Sequence, residues 1–309
     1  MLIPLLRKLK FRNLVAWLIL LSLFFALGSC GENPTNKAEE FMAANMYEQA
    51  IALLEQEIQN NPKNATAHLL LGECKLVNGR LSEAQNSFKS ATVLQPELGM
   101  KIGEVAISAT NSALRDQKYS QAFQIMSLAT KYDPRTSTKL SEICIDKAKE
   151  LFGNNMTSGG VSFLKYSLSQ DSSKNIEISN ILLSLIATEA KKTKGGNFND
   201  IISWCIQLDE SKSKEIGKIY FDIGSTILDS PGQSVGDAIK NGFSIAVKYD
   251  HSISSPAANK LFAFAEQTDK LPSGIEAVYT AGVYDKQFLN KSCDLLTAYA
   301  QKAYEKGQL

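Results

Sequence analysis

The stretches "YEQAIALLEQEIQNNP" (residues 47–62) and "LSEAQNSFKSATVLQP" (81–96) decide how this chain folds. Laid over one another, they put Ala50 on Ala84, Leu54 on Phe88 and Pro62 on Pro96, each pair 34 residues apart. A third copy, "YSQAFQIMSLATKYDP" (119–134), supplies Ala122, Met126, Ala129 and Pro134 at an offset of 38, so about four residues are inserted before it. A period of this length marks a supersecondary unit that stacks on copies of itself. The small residues suit a close helix crossing and the large ones fill the space beside it. The proline ends the second helix, because it lacks an amide donor and restricts the residue before it. One such hairpin cannot bury its own apolar face, so hairpins must stack.

The pattern resembles the tetratricopeptide repeat, a pair of antiparallel helices. Residues 65–98 match that family's signature at Leu71, Gly72, Ala84, Phe88, Ala91 and Pro96, and depart from it at His68 and Lys75, where aromatics are usual. The resemblance implies an all-α solenoid of helix hairpins wound as a right-handed superhelix. It also implies a concave groove lined by the first helix of each hairpin. The positions implied to face that groove are Thr66, Leu69, Glu73, Leu76 and Val77 in the second repeat, and Glu104, Ile107, Asn111, Leu114 and Arg115 in the third. The opposing reading of the apolar members, Leu69 and Leu114 above all, is packing against neighbouring helices.

The resemblance covers about 36–134. Beyond it the hairpin rhythm predicts helices at 137–152 and 160–169, 175–193 and 198–209, and 212–228 and 235–249. Helices at 256–268 and a shorter piece near 274–283 follow, and the last, 286–306, is expected to cap the solenoid with a polar outer face. Three segments result: 1–29 as a leader, 30–134 with clear repeats, and 135–309 with degenerate ones.

The leader has its own logic. Arg7, Lys8, Lys10 and Arg12 precede an uncharged run, LVAWLILLSLFFAL, at 14–27. As a helix that run is about 21 Å long, short of the roughly 30 Å hydrocarbon core. A basic start, a short apolar run and a small-residue exit describe a secretory signal peptide. Leu27-Gly28-Ser29-Cys30 resembles the bacterial lipobox, in which the cysteine thiol is acylated and becomes the new N-terminus. That resemblance implies lipidation at Cys30 and a membrane surface outside the cytoplasm. Gly31, in place of an aspartate, leans towards the outer membrane.

With 33 basic and 32 acidic residues the chain is balanced. Without residues 1–29 it keeps 29 bases against 32 acids, a net charge of −3, which excludes the strongly basic face a nucleic-acid groove wants. Cys74, Cys144, Cys205 and Cys293 are too widely spaced for a zinc site and read as small buried hydrophobes, although an exported chain could oxidise them. His68 falls on a packing position and His251 in a polar turn, and no His-Glu-x-x-His, Gly-x-Ser-x-Gly or P-loop motif is present. Ser-x-x-Lys occurs at Ser162–Lys165 and Ser211–Lys214, at the frequency expected by chance in a chain this rich in both residues. No metal or cofactor is expected. The sequence therefore reads as a lipid-anchored, non-enzymatic scaffold that holds a peptide or helix of a protein partner at a bacterial cell envelope. The alternatives are an envelope enzyme, which needs a deep polar cleft, and a solute-binding lipoprotein, which needs an enclosed cavity.

Overall fold

The computed structural model describes residues 33–196, 198–232, 234–268 and 271–306. Among them every regular element is helical and none is a strand. The segment read as a signal peptide, and Cys30, lie outside the described residues. The chain divides into two compact units, residues 1–140 and 141–309.

The helices alternate between a first (A) and a second (B) member of each hairpin. In order they are α1 (Pro34–Ala43) and α2 (Tyr47–Asn60), α3 (Ala65–Val77) and α4 (Leu81–Leu94), and α5 (Leu98–Arg115) and α6 (Tyr119–Tyr132). Then come α7 (Ser137–Gly153) and α8 (Thr157–Gln170), and α9 (Asn175–Lys192) and α10 (Asn199–Leu208). Helix α11 (Lys212–Asp229) pairs with a broken B helix: α12 (Val235–Ala238), a π-helical turn (Ile239–Phe243) and α13 (Ser244–Tyr249). Helices α14 (Ser254–Gln267) and α15 (Leu271–Tyr284) follow, and α16 (Leu289–Glu305) is last. The insertion before the third copy proves to be a longer A helix, 18 residues in α5 against 13 in α3. The piece expected near 274–283 is a full-length helix of 14 residues.

Two local devices punctuate the chain. At the A-to-B turns a residue adopts positive φ: Asn45 (59°), Gly79 (75°), Gln117 (58°) and Asn155 (60°), spaced 34, 38 and 38. The next amide donates back five residues, Met46 to Phe41, Arg80 to Lys75, Lys118 to Ala113 and Met156 to Leu151, each at 2.8 Å. This is the Schellman closure, which satisfies the carbonyls a helix end leaves open. At the B-to-A turns an extended residue stops the B helix. Proline follows it in the first three copies, at Asn61, Gln95 and Asp133. In later copies the proline is gone, and Asp171, Asp209, Asp250 and Asp285 do the work with their side chains. Each Oδ1 accepts the amide of the second residue on, at 3.0 Å. The repeat therefore runs to residue 285, carried by a different stop residue.

The core follows the same register. Leu54, Phe88, Met126, Leu164, Ile202 and Phe243 occupy equivalent B-helix positions and are all buried. Three residues on, Ala91, Ala129, Ser167, Cys205 and Ala246 are buried and small, so Cys205 stands where earlier copies use alanine. Phe88 fills two spaces at once. Its ring lies beside Gly72 in its own hairpin and edge-on to Tyr132 of the following one, with centroids 6.0 Å apart. Lys75, which replaces the usual aromatic, is buried and ties three helices together through Glu55 at 3.0 Å and Glu83 at 3.5 Å.

One expectation fails at Cys293, which is exposed rather than buried. Helix α16 buries Ser292, Tyr299 and Ala303 and turns Leu289 and Tyr304 outward, 49 and 72% exposed. They share the outer face with Asn290, Lys291, Asp294, Gln301 and Glu305. Burial of Tyr299 and Ser292 decides the orientation, because their hydroxyls meet the carbonyls of Ala265 and Val278.

Candidate partner-binding grooves

Three surface grooves share one construction, a cleft between successive A helices. In the first unit, Glu73, Leu76 and Val77 of α3 face Val105, Ser108 and Ser112 of α5 across about 240 Å³. In the second, Lys149, Phe152 and Gly153 of α7 face Ile181, Ser184 and Thr188 of α9 across about 550 Å³. A third, of about 260 Å³, sets Lys191 against Asp222, Ile223 and Thr226 of α11. The residues are equivalent from groove to groove. Glu73, Leu76 and Val77 correspond to Lys149, Phe152 and Gly153 two repeats later, and Val105, Ser108 and Ser112 to Ile181, Ser184 and Thr188.

The largest of these three grooves is also the most apolar. Phe152, Ile181 and Leu185 supply its greasy surface, and Lys149, Glu177 and Glu189 its charge. Lys149 Nζ stands 3.8 Å from Glu177 Oε1, linking the two helices. In the first-unit groove, burial raises the Glu73 carboxyl above the usual carboxylate range, with Lys101 opposing the shift. A mixed surface of this kind holds an extended peptide or a helix through a few apolar anchors and polar neighbours.

The residues expected in the groove divide. Glu73, Leu76 and Val77 line it. Thr66, Glu104, Asn111 and Arg115 are exposed on the same helices. Leu69, Ile107 and Leu114 are buried, 0, 7 and 6% exposed, and for these the packing reading fits: they fill the helix interfaces. The resemblance supplied one wall of the first-unit groove, the last turns of α3. The other wall comes from positions one residue away on the next A helix, at Val105, Ser108 and Ser112, which the signature does not mark. The grooves beyond residue 134 carry no signature residues at all; the 38-residue register was the signal that could have located them.

Other candidate chemistry does not assemble. Ser162 Oγ donates to the Ser158 carbonyl at 3.0 Å, while Lys165 Nζ lies 5.8 Å from the Trp204 ring centroid. Ser211 Oγ donates to Asp209 at 2.7 Å as part of a turn. His68 Nε2 pairs with the Pro62 carbonyl at 3.1 Å, and His251 is exposed in a 3₁₀ turn. Cys74, Cys144, Cys205 and Cys293 form no disulfide with one another. Among the described residues no cluster of three or more His, Cys, Asp or Glu could hold a metal ion, and no helix is long and apolar enough to cross a membrane.

Residues 41–97 match the family model described as tetratricopeptide repeat. No curated protein matches the chain. With that match and a helix-hairpin architecture throughout the described residues, the chain is a tetratricopeptide-like helical-repeat protein. Such repeats generally mediate protein–protein contacts and are generally not catalytic.

Proposed function

We propose that this protein is a lipid-anchored, non-catalytic scaffold that docks protein partners at a bacterial cell envelope, on the periplasmic side of the outer membrane. The observation that carries the docking part is the recurrence of one groove, in one register, between successive A helices of both units. A catalytic cleft is built once, whereas a surface that recurs with the repeat suits an elongated ligand contacting successive repeats. The partner is a peptide or helix whose apolar side chains reach Phe152, Ile181 and Leu185 while its polar groups meet Lys149 and Glu177. The anchoring part rests on the lipobox-like Leu27–Cys30 segment. Two acyl chains, at about 0.8 kcal/mol per buried CH₂, hold a protein stably at a bilayer.

A photo-crosslinking amino acid at Asn180 or Thr188, in cells, tests the groove. It is expected to trap a discrete partner that the same group at exposed Ser162 does not trap. Equal trapping from all three positions would remove the groove from the reading. Fractionation of Cys30→Ala tests the anchor: the variant is expected to remain unacylated and leave the membrane fraction, and retention of an acylated, membrane-bound protein would refute lipidation at Cys30.

A further inference from the structure

The turns that lead from each B helix to the next A helix lie along one edge of the first unit, and α1 begins at that same edge, at Pro34. Large apolar side chains stand out there. Val93 and Leu94, in the last turn of α4, and Met100, in the first turn of α5, are 74, 40 and 49% exposed on either side of the turn at Gln95–Glu97. The repeat does not require them. Counted from the residue that ends each B helix, Val93 is equivalent to Gln59 and Lys131, and Met100 to Thr66 and Thr138.

The same edge is basic. Within one helical turn of its loops stand Lys37, Lys63, Lys101, Lys131, Arg135 and Lys139, against three acids, Glu57, Glu97 and Asp133. Those acids already accept hydrogen bonds from neighbours, Glu57 from Asn64, Glu97 from Gln95 and Asp133 from Arg135. The opposite edge of the unit, counted in the same way, holds four bases and four acids.

The chain fixes which edge lies near a membrane. Cys30 precedes Pro34 by four residues, and four residues of extended chain reach at most about 14 Å. An acylated Cys30 has its acyl chains in the bilayer, so the start of α1 is held close to the headgroups. The opposite edge is further off by the length of a 14-residue helix, about 21 Å.

We infer that the first unit is seated on the bilayer by this edge: Val93, Leu94 and Met100 enter the interface, and the surrounding lysines meet the phosphates of anionic lipid headgroups. The apolar side chains gain by leaving water, and the basic rim by the negative surface potential of the membrane. The groove between α3 and α5 is built from the last turns of both helices, so the seat holds it on the far edge, facing the aqueous side. This contact rests on the acylation of Cys30 proposed above and adds to it the residues that orient the protein.

The test reconstitutes the acylated protein into vesicles of phosphatidylethanolamine and phosphatidylglycerol. The lipobox reading leaves that protein Trp204 as its only tryptophan, and Trp204→Phe removes it, so one introduced tryptophan reports at a time. Lipids brominated on their acyl chains are expected to quench Val93→Trp and Met100→Trp at least threefold more than Met46→Trp, an exposed apolar position at the opposite edge. Lys101→Glu combined with Lys131→Glu, or omission of phosphatidylglycerol, should cut that quenching at least twofold. Equal quenching at the three positions, or quenching indifferent to both changes of charge, overturns the seat and leaves the anchor standing. Protein that mass spectrometry shows to carry no acyl group overturns anchor and seat together. A blue shift of the Val93→Trp emission that follows protein concentration rather than lipid would assign the patch to a second copy and overturn the bilayer as its occupant.

Discussion

Gly72 and Phe88 are packed so closely that a Cβ on the glycine would stand 2.5 Å from two carbons of the ring. The same relation recurs between Gly224 and Phe243, where the nearest ring carbon would be 3.0 Å away. Helix crossings of this kind set how near the two members of a hairpin approach.

Gly72→Ala is accordingly expected to destabilise the protein. The helix-propensity gain of about 1 kcal/mol is outweighed by overpacking, which typically costs about 1–3 kcal/mol, because the ring is already held on its far side by Tyr132. Ala84→Trp, at a fully buried crossing position, should cost more. Urea unfolding of both variants measures this, and a midpoint unchanged in both would mean that the crossing is not tight.

Thr110 occupies the place of Gly72 one repeat later and is buried with its hydroxyl lacking a hydrogen-bond partner. A buried polar group without a partner costs about 1–3 kcal/mol. Thr110→Val keeps the shape and removes the hydroxyl, so it should raise the unfolding free energy by about 1 kcal/mol, and the midpoint with it. A lower midpoint would show that the hydroxyl is satisfied in solution.

Acid should loosen the B-to-A turns. The carboxyls of Asp133, Asp171, Asp209 and Asp285 are held below their ordinary value of 3.8, first by side-chain hydrogen bonds from Arg135, Ser173, Ser211 and Ser255. Since the folded carboxyls are the stronger acids, the unfolded chain binds protons first as pH falls. The stability they add is present above about pH 3.8 and is lost as pH drops through the folded values. Replacing all four by Asn keeps the Oδ1 acceptor and removes the titration. Unfolding temperature measured from pH 6 to 2 should fall less steeply for that variant below about pH 4; parallel curves would contradict the assignment.

Burial pushes the Cys74 and Cys144 thiols up to about 12 and Cys205 to about 11, whereas Cys293 is exposed. The thiolate is the reactive form. In the Cys30→Ala protein at pH 8, iodoacetamide should alkylate Cys293 and reach the other three only after denaturation, as read by peptide mass mapping. Rapid alkylation of Cys74 in the native protein would mean that the first-unit core opens readily.

The sequence by itself was enough for the class of fold and for its period. Ala50, Ala84 and Ala122, with Pro62, Pro96 and Pro134, repeat types whose physical roles are narrow, so their spacing is legible without coordinates. Past residue 134 the rhythm survived but its markers did not. The proline stop became an aspartate turn, and the Gly72 position, already Thr110 in the third copy, became Ala148 and Ile186, because a crossing needs a total volume and either helix can supply it. The aspartates at 171, 209 and 250, each followed two residues later by Ser, were readable only once the turn they close was known.

The tertiary structure decided what periodicity leaves open. A groove has two walls on helices remote in sequence, so a pattern within one repeat names only one of them. Helix α16 has two faces with apolar periodicity, and spacing alone favoured the row of Leu289, Cys293 and Leu296 as the buried one. Contacts with α15 and α14 reversed that choice, because the hydroxyls of Ser292 and Tyr299 find buried carbonyls on the other side. A single helix records how greasy each face is; only its neighbours determine which face finds partners for its polar atoms.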